Sequence, residues 1–446
     1  MLGFVGAMAA FSIDVVTLYT ARSEAQLAAD GAALAGARVL ANSGMTSMNS
    51  TADSAVGGNA APLAIAVATQ VAANNPVGGR NLNPGASPCV AGQEICVNIS
   101  TTAVDFVPNP QVTVTVQRTD LPTFFARIWG RTAFTVKASA TAEAYNPSSL
   151  QGTGNGPGLP IAPACVKPWL LPNIDPSNPG NPIFVAATGA LAPTTTNLLG
   201  WVTPNGGGPG AIRLRTKCST TSVPPGTADC LPVGSNAPAA WQYYPGTTDP
   251  ATGSFPAPNA SSCTGCAGFT NYELSIAGCV QKPISCNSQV NVDTNNFPNR
   301  DIETGTAVNN LTHSTGNGGD KVDTAVATPP TGTEPFQFLA GAKNPVVLSG
   351  ALGDGSNIMV SDSLVTVPVI DTTTPAFWPG TYPNNVQIIG FVQLFLNPTG
   401  AAAPASGHIH TQVINLVGCG DGVGSATGTS ILGNGASPVA VRLISP

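Results

Sequence analysis

Charge is the scarcest commodity in this chain: Asp, Glu, Lys and Arg make up only 9 % of its 446 residues, against roughly a quarter in an ordinary globular protein. That shortage excludes coiled coils and long helical bundles, which need Glu, Lys and Arg at helical spacing. The 16 basic residues form no run and are outnumbered by 22 acidic ones, leaving a net charge of −6. Nucleic-acid binding rests on grouped Lys and Arg that neutralise phosphates, so it is set aside. Only three imidazoles are present (His313, His408 and His410), which leaves little material for metal or acid–base chemistry. The sequence also lacks a nucleophile elbow, a phosphate-binding loop and a paired catalytic carboxylate motif. It therefore reads as a non-enzyme without a cofactor.

What it has in excess is Gly (50) and Pro (41), about a fifth of the chain. No Gly-X-Y period accompanies them, which excludes collagen. A hydrophobic content of 42 % is too high for a disordered polyelectrolyte. The chain has ten cysteines, nine of them in loop-like surroundings: Cys89, Cys96, Cys165, Cys218, Cys230, Cys263, Cys266, Cys279, Cys286 and Cys419. An even number in Gly/Pro/Thr-rich chain reads as a disulfide framework, and disulfides persist outside the cytoplasm. Proximity pairs Cys89 with Cys96 and Cys218 with Cys230, leaves 263, 266, 279 and 286 as a local cluster, and joins Cys165 to Cys419. One close pair, Cys263-Thr-Gly-Cys266, without a second, is a weak zinc signal. Its loop-like flanks argue against a redox motif.

Residues 1–21 are apolar around the whole helical circumference except at Asp14. The pattern runs on through Ala-, Leu- and Gln-rich chain to Asn42-Ser43-Gly44, which predicts one helix over 1–41, about 60 Å long. Leu2, Phe4, Val5, Phe11, Ile13, Val16 and Leu18 supply its bulk. Small residues recur at four-residue steps, as in Gly6 and Ala10, Ala25 and Ala29, and Ala32 and Gly36. Such steps let helix backbones approach closely. The helix is read either as a membrane anchor or as a packing helix buried among copies of itself in a filament. Asp14 has two open roles: an ion pair with a neighbouring copy's α-amino group or Arg22, or the water-facing boundary of a short span.

The run from Ser12-Ile13-Asp14 through Tyr19 and Arg22 to Gln26-Leu27-Ala28-Ala29-Asp30-Gly31-Ala32-Ala33-Leu34-Ala35-Gly36-Ala37 resembles the TadE/TadG-like segment of Flp (Tad) pilus proteins. A weaker resemblance covers 111–145, with Thr-Phe-Phe-Ala-Arg-Ile-Trp-Gly between two strands. The resemblance implies a bacterial source, residence in the membrane before assembly, and partnership with Tad-type secretion and assembly machinery. Two features depart from the family. No basic stub precedes the helix, which fits a processed form, and no Asp-x-Ser-x-Ser metal site of a von Willebrand A domain is present.

Beyond the helix, 42–145 reads as a small α+β domain: a helical region in 51–74, strands at Ile95–Ile99, Gln111–Val116 and Thr132–Ala144, and a short helix at Leu121–Trp129. A linker is expected over 146–164 and a loop-rich, disulfide-containing all-β domain, sandwich-like, over 165–446. Its expected strands are Ile183–Ala186, Ala211–Arg215, Tyr272–Ile276, Val346–Leu348, Ser363–Ile370, Val386–Leu396, Ile409–Val417 and Val439–Ile444. His408 and His410 share a strand face without a third ligand. Asp293, Asn295, Asn296, Asp301 and Glu303 offer oxygen ligands for Ca²⁺ without the fixed spacing of a calcium loop. Asn49, Asn98, Asn259 and Asn310 head glycosylation sequons, weak signals in a bacterial protein. The expectation is a structural subunit of an extracellular filament, a homo-oligomer built through its N-terminal helix. The alternative is a membrane-anchored minor pilus component or surface adhesin.

Overall fold

The computed structural model describes residues 2–47, 60–85, 89–90, 92–104, 107–146, 161–175, 181–186, 192, 212–215, 240–248, 254–258, 263–293, 300–313, 318–322, 338–358, 360–371, 385–396, 409–419, 431–432 and 437–445. Its helices are α1 (Leu2–Ala41), α2 (Ala60–Asn74), α3 (Asn271–Ala277), α4 (Arg300–Leu311) and α5 (Pro345–Leu348). The first strands are β1 (Ile95–Val104), β2 (Val107–Pro122), β3 (Ala133–Tyr145), β4 (Ile161–Ala162), β5 (Trp169–Pro172) and β6 (Ile212–Arg215). Next come β7 (Ala240–Gln242), β8 (Tyr244–Pro245), β9 (Gln289–Asn291), β10 (Lys321–Val322), β11 (Phe338–Leu339) and β12 (Asn357–Ile358). The last are β13 (Leu364–Ile370), β14 (Asn385–Leu396), β15 (Ile409–Gly418), β16 (Ile431–Leu432) and β17 (Ala440–Ser445).

The first sheet has the order β1-β2-β3-β17 and is antiparallel throughout. Strand alternation decides its two faces. Val112, Val114 and Val116 of β2 point inward opposite Ala142, Ala140 and Ala138 of β3, all buried. The reverse face pairs hydroxyls, Thr113 with Thr141 at 3.0 Å and Thr115 with Ser139 at 3.1 Å. Alanines on β3 leave room for helices to lie close, and α1 and α2 fill it. One core joins Ala21, Ala25, Ala28, Ala29, Ala32, Ala33 and Ala37 of α1 to Ala64 and Ala68 of α2 and the valines of β2. At Gly36 a Cβ would fall 2.9 Å from Val112 Cγ1 and 3.3 Å from the Ala64 carbonyl, so only glycine fits there without a shift.

The large sheet runs β7-β6-β15-β14-β13-β5-β8, with β9 attached to β14. Its central strands β13, β14 and β15 are antiparallel neighbours and buried on both faces. One face packs under Tyr272 and Ile276 of α3 and Ala307 and Leu311 of α4. The other meets Ala41, Ala144, Phe255, Ile284 and Val439. The α+β class holds, but the all-β sandwich over 165–446 is corrected: a helix pair covers one face of this sheet.

Five further expectations change. Tyr272–Ile276 and Val346–Leu348 are helical, not strands, because Thr270 and Glu273 close a capping box and Asn344 caps Val346 N–H ahead of Pro345. Ile183–Ala186 lies in no strand; the Asn173 side chain holds its backbone by accepting from the N–H groups of Ile183 and Phe184. The last expected strand is β17, and it pairs with β3, returning the C-terminal end of the chain to the first sheet. Both ends of the expected linker are ordered parts of the fold. Asn146 is buried and donates to the Leu416 carbonyl, and β4 pairs with β16; 147–160 lie outside the described residues.

Candidate functional site

α1 changes character along its length. From Ala21 onward one face is locked into the first core, so Ala25, Ala29, Ala32 and Gly36 pack within the chain rather than against copies of the helix. Full burial by α2 and the sheet removes them from any outer surface. Before Ala21 the helix offers apolar side chains to solvent: Phe11, Ile13, Val15, Val16 (63 % exposed) and Tyr19 (78 %). Leu18 is partly buried against the core. Leu2, Phe4, Val5, Gly6 and Ala10 lie on the helix, with side chains outside the described residues.

Asp14 marks the changeover. Its side chain is on the same helical face as Ala21 and is only 3 % exposed. Oδ1 accepts from Phe124 N–H at 2.9 Å, and Oδ2 accepts from Phe125 N–H at 3.0 Å and Ala126 N–H at 2.7 Å. These are the free donors at the start of the 3-10 turn Ala126–Trp129, which ends at Gly130 in the left-handed region (φ +77°). Burial opposes the ionised form, but the three donors outweigh it and hold the carboxyl below the usual aspartate range. The expected ion pair of Asp14 with a neighbouring copy or with Arg22 is thereby replaced by an intrachain latch. Its partner lies 110 residues away in sequence, and no local signal reveals it.

Around the latch the loop is rigidly built. Thr123 Oγ1 donates to the Arg131 carbonyl at 2.6 Å, and Arg131 N–H donates to the Ala126 carbonyl at 3.1 Å. Phe124 stands out at 62 % exposure, and Arg22, Arg127 and Arg131 are exposed. Nearby acids are already engaged. Glu24 accepts from Gly78 N–H at 2.6 Å, and Asp120 bridges Arg80 and Arg118 at 3.0 and 2.9 Å. Arg118 also donates to the carbonyls of Val77 and Gly78, a node that sequence reasoning missed.

The other candidates resolve into scaffolding. Arg300 pairs with Asp293 and Glu303 and lies over the Tyr272 ring at 4.5 Å, so a guanidinium occupies the place proposed for Ca²⁺. Asn295, Asn296 and His408 fall outside the described residues, as do the side chains of Asp301 and His410. Among the described residues no cluster of His, Cys, Asp or Glu is arranged to hold a metal. His313 pairs with Asp362 at 3.0 Å; this hydrogen bond outweighs desolvation and raises the imidazole above its ordinary value. Asn98 is exposed on β1, whereas Asn310 donates to the Thr264 carbonyl; Asn49 and Asn259 lie outside the described residues.

Cys89–Cys96 forms as expected, and Cys263 pairs with Cys266. The expected Cys165–Cys419 bridge does not form. Cys165 joins Cys279 after α3, and Cys286 joins Cys419 at the end of β15. Spacing along the chain carries no information on such long-range pairs. Cys218 and Cys230 lie outside the described residues.

An exposed apolar helix end, an aspartate latch at its base and sheets fastened by disulfides are the features that the fold brings together. Residues 1–39 match the Tad family model, described as Flp pilus-assembly TadE/G-like. That match relates the N-terminal segment to Flp pilus assembly. No curated protein and no solved structure matches the chain. Among the described residues no helix is long and apolar enough to cross a membrane; the side chains of the first ten residues, the most apolar part of α1, lie outside that statement.

Proposed function

We propose that this protein is a structural subunit of a bacterial extracellular filament, pilus or tube, assembled from identical copies through the projecting end of α1. One observation carries the reading: Phe11, Ile13, Val15, Val16 and Tyr19 are exposed together on a helix whose turns from Ala21 onward are fixed to the fold. Exposed apolar area on this scale is buried by association, which supplies stability by the hydrophobic effect and mass action. The disulfide-tied sheets then form the outer wall. The segment resides in the membrane before assembly and is handled by Tad-type machinery. Electron microscopy of sheared surface material, with N-terminal sequencing of its main band, tests the reading. Filaments containing this chain are expected, and Val16→Asp should abolish them while leaving the purified chain folded. Filaments that persist in Val16→Asp overturn it.

A second reading, a membrane-anchored minor Tad component or adhesin, is favoured by the same apolar end, with Arg22, Arg127 and Arg131 exposed near its base. It predicts recovery with the inner membrane and none in sheared material.

A further inference from the structure

The loop latched onto α1 has an organisation that the filament reading does not use. Within 123–131 there are two arginines, two phenylalanines and no acid. Among the described residues no carboxylate pairs with Arg127, Arg131 or Arg22, because Asp14, Glu24 and Asp120 are occupied by other donors. In a chain of net charge −6 this is a local excess of positive charge, and it sits beside exposed aromatics at the base of an apolar helix end. The side chains that contact solvent, Phe124, Arg127 and Arg131, take no part in the hydrogen bonds that hold the loop. The latch therefore presents them in a fixed layer at the level of Asp14. The twelve residues of α1 before Asp14 reach about 18 Å past that layer.

We infer that this layer is a docking surface for anionic phospholipid headgroups: Arg127 and Arg131 contact lipid phosphates, and Phe124 and Tyr19 lie at the headgroup boundary while the end of α1 enters the hydrocarbon. Tyr19, a ring with one polar edge, suits the membrane–water interface, Phe124 adds an apolar ring on its hydrocarbon side, and arginines next to an apolar segment meet phosphate there. Asp14 is compatible with that depth because its charge is already satisfied by three backbone donors and needs no water. The inference concerns the membrane-resident state and holds whether the chain later becomes a filament subunit or stays anchored.

The experiment is flotation of the purified full chain with vesicles of phosphatidylcholine alone or phosphatidylcholine mixed with phosphatidylglycerol. Binding to the anionic vesicles is expected to be stronger and to weaken with added salt. Arg127→Gln with Arg131→Gln should remove about tenfold or more of the affinity for anionic vesicles and leave binding to neutral ones unchanged. Phe124→Trp should show a blue-shifted emission on binding, quenched by lipids brominated near the headgroup. Circular dichroism keeps the test clean, since among the described residues neither guanidinium makes an intrachain bond. Equal binding to both vesicle types, no effect of the double variant, or a tryptophan that stays in water each overturns the inference. Filament formation is scored separately in cells, so its failure is distinguishable from failure of lipid docking.

Discussion

Asn415 donates its Nδ2–H to the Ala41 carbonyl at 2.8 Å, so a strand of the large sheet caps the C-terminus of the first helix. The same amide donates to Gln393 Oε1 at 2.6 Å, and its Oδ1 accepts from Thr46 Oγ1 at 3.3 Å. Gln393 in turn donates to Asn42 Oδ1 at 3.2 Å. Around this network, Ala41 and Ala144 of the first unit share a core with Ile388, Phe391 and Val417 of the large sheet. Hydrogen bonds and a shared core therefore join the first helix to the large sheet. Asn415→Leu fills the space but strands two acceptors and a hydroxyl, which should cost about 2–4 kcal/mol. Urea unfolding of the purified chain measures it; a change under 1 kcal/mol would show that the junction is held by packing alone.

The Asp14 latch has a pH signature with a defined sign. A carboxyl held below its ordinary value in the folded state contributes stability that is fully present above the unfolded value of about 4. That contribution is lost as pH falls through the folded value. Asp14→Ala should therefore melt lower than the unaltered chain at neutral pH, and the gap should close on acidification below about pH 4. Thermal unfolding of both proteins across that range decides it. A gap independent of pH would mean that the side chain acts by shape and not by charge.

Lys167 runs the opposite way. It is buried, it donates to the carbonyls of Ile276 and Gly278 at the end of α3, and desolvation pushes its pKa down to about 8, with Asp362 opposing. Between that value and the ordinary 10.5 the unfolded chain binds more protons than the folded one. Stability should therefore rise with pH across this window. Lys167→Met should abolish the rise and, by leaving two carbonyls without their donor, cost about 1–3 kcal/mol at neutral pH. Paired denaturation curves at pH 7 and above provide the comparison.

How far the sequence carried these conclusions depends on distance along the chain. α1 and strands β1–β3 were legible because an apolar circumference and strict alternation are local properties. The helices α3 and α5 were misread as strands although their start signals stand in the sequence: Thr270 three residues before Glu273, and Asn344 directly before Pro345. The return of β17 to β3, the partner of Asp14 and the Cys286–Cys419 bridge join positions more than a hundred residues apart. No periodicity reports on such contacts; tertiary packing alone selects them.

The disulfides should differ in worth according to the loops they close. Cys286–Cys419 spans 133 residues and Cys263–Cys266 only 3. Loop-closure entropy scales with the logarithm of that length, so removing the first bridge should cost about 5 kcal/mol and the second about 2. Cys→Ser pair variants, unfolded in urea under non-reducing conditions, give the ranking. Peptide mapping without reductant should recover both bridges from the unaltered chain, and an inverted order would show that strain outweighs chain entropy.

Small and bulky residues on α1 have different surroundings, and substitution should separate them. At Gly36 a side chain has nowhere to go: a Cβ would lie 2.9 Å from Val112 Cγ1 and 3.2 Å from Ala68 Cβ. Gly36→Val therefore pushes α1 off both α2 and β2, and overpacking of this kind costs about 1–3 kcal/mol or more. Its product should be a destabilised monomer, visible as a lowered melting temperature before any assembly is scored. Val16, five turns earlier and 63 % exposed, touches no part of the core, so Val16→Asp should melt normally and fail only in assembly. On the proposed filament reading, the small residues from Ala25 onward serve the fold and the bulky residues before Ala21 serve the neighbour. If Gly36→Val melts like the unaltered chain and loses only filaments, the helix packs against copies of itself at that level and the division is wrong.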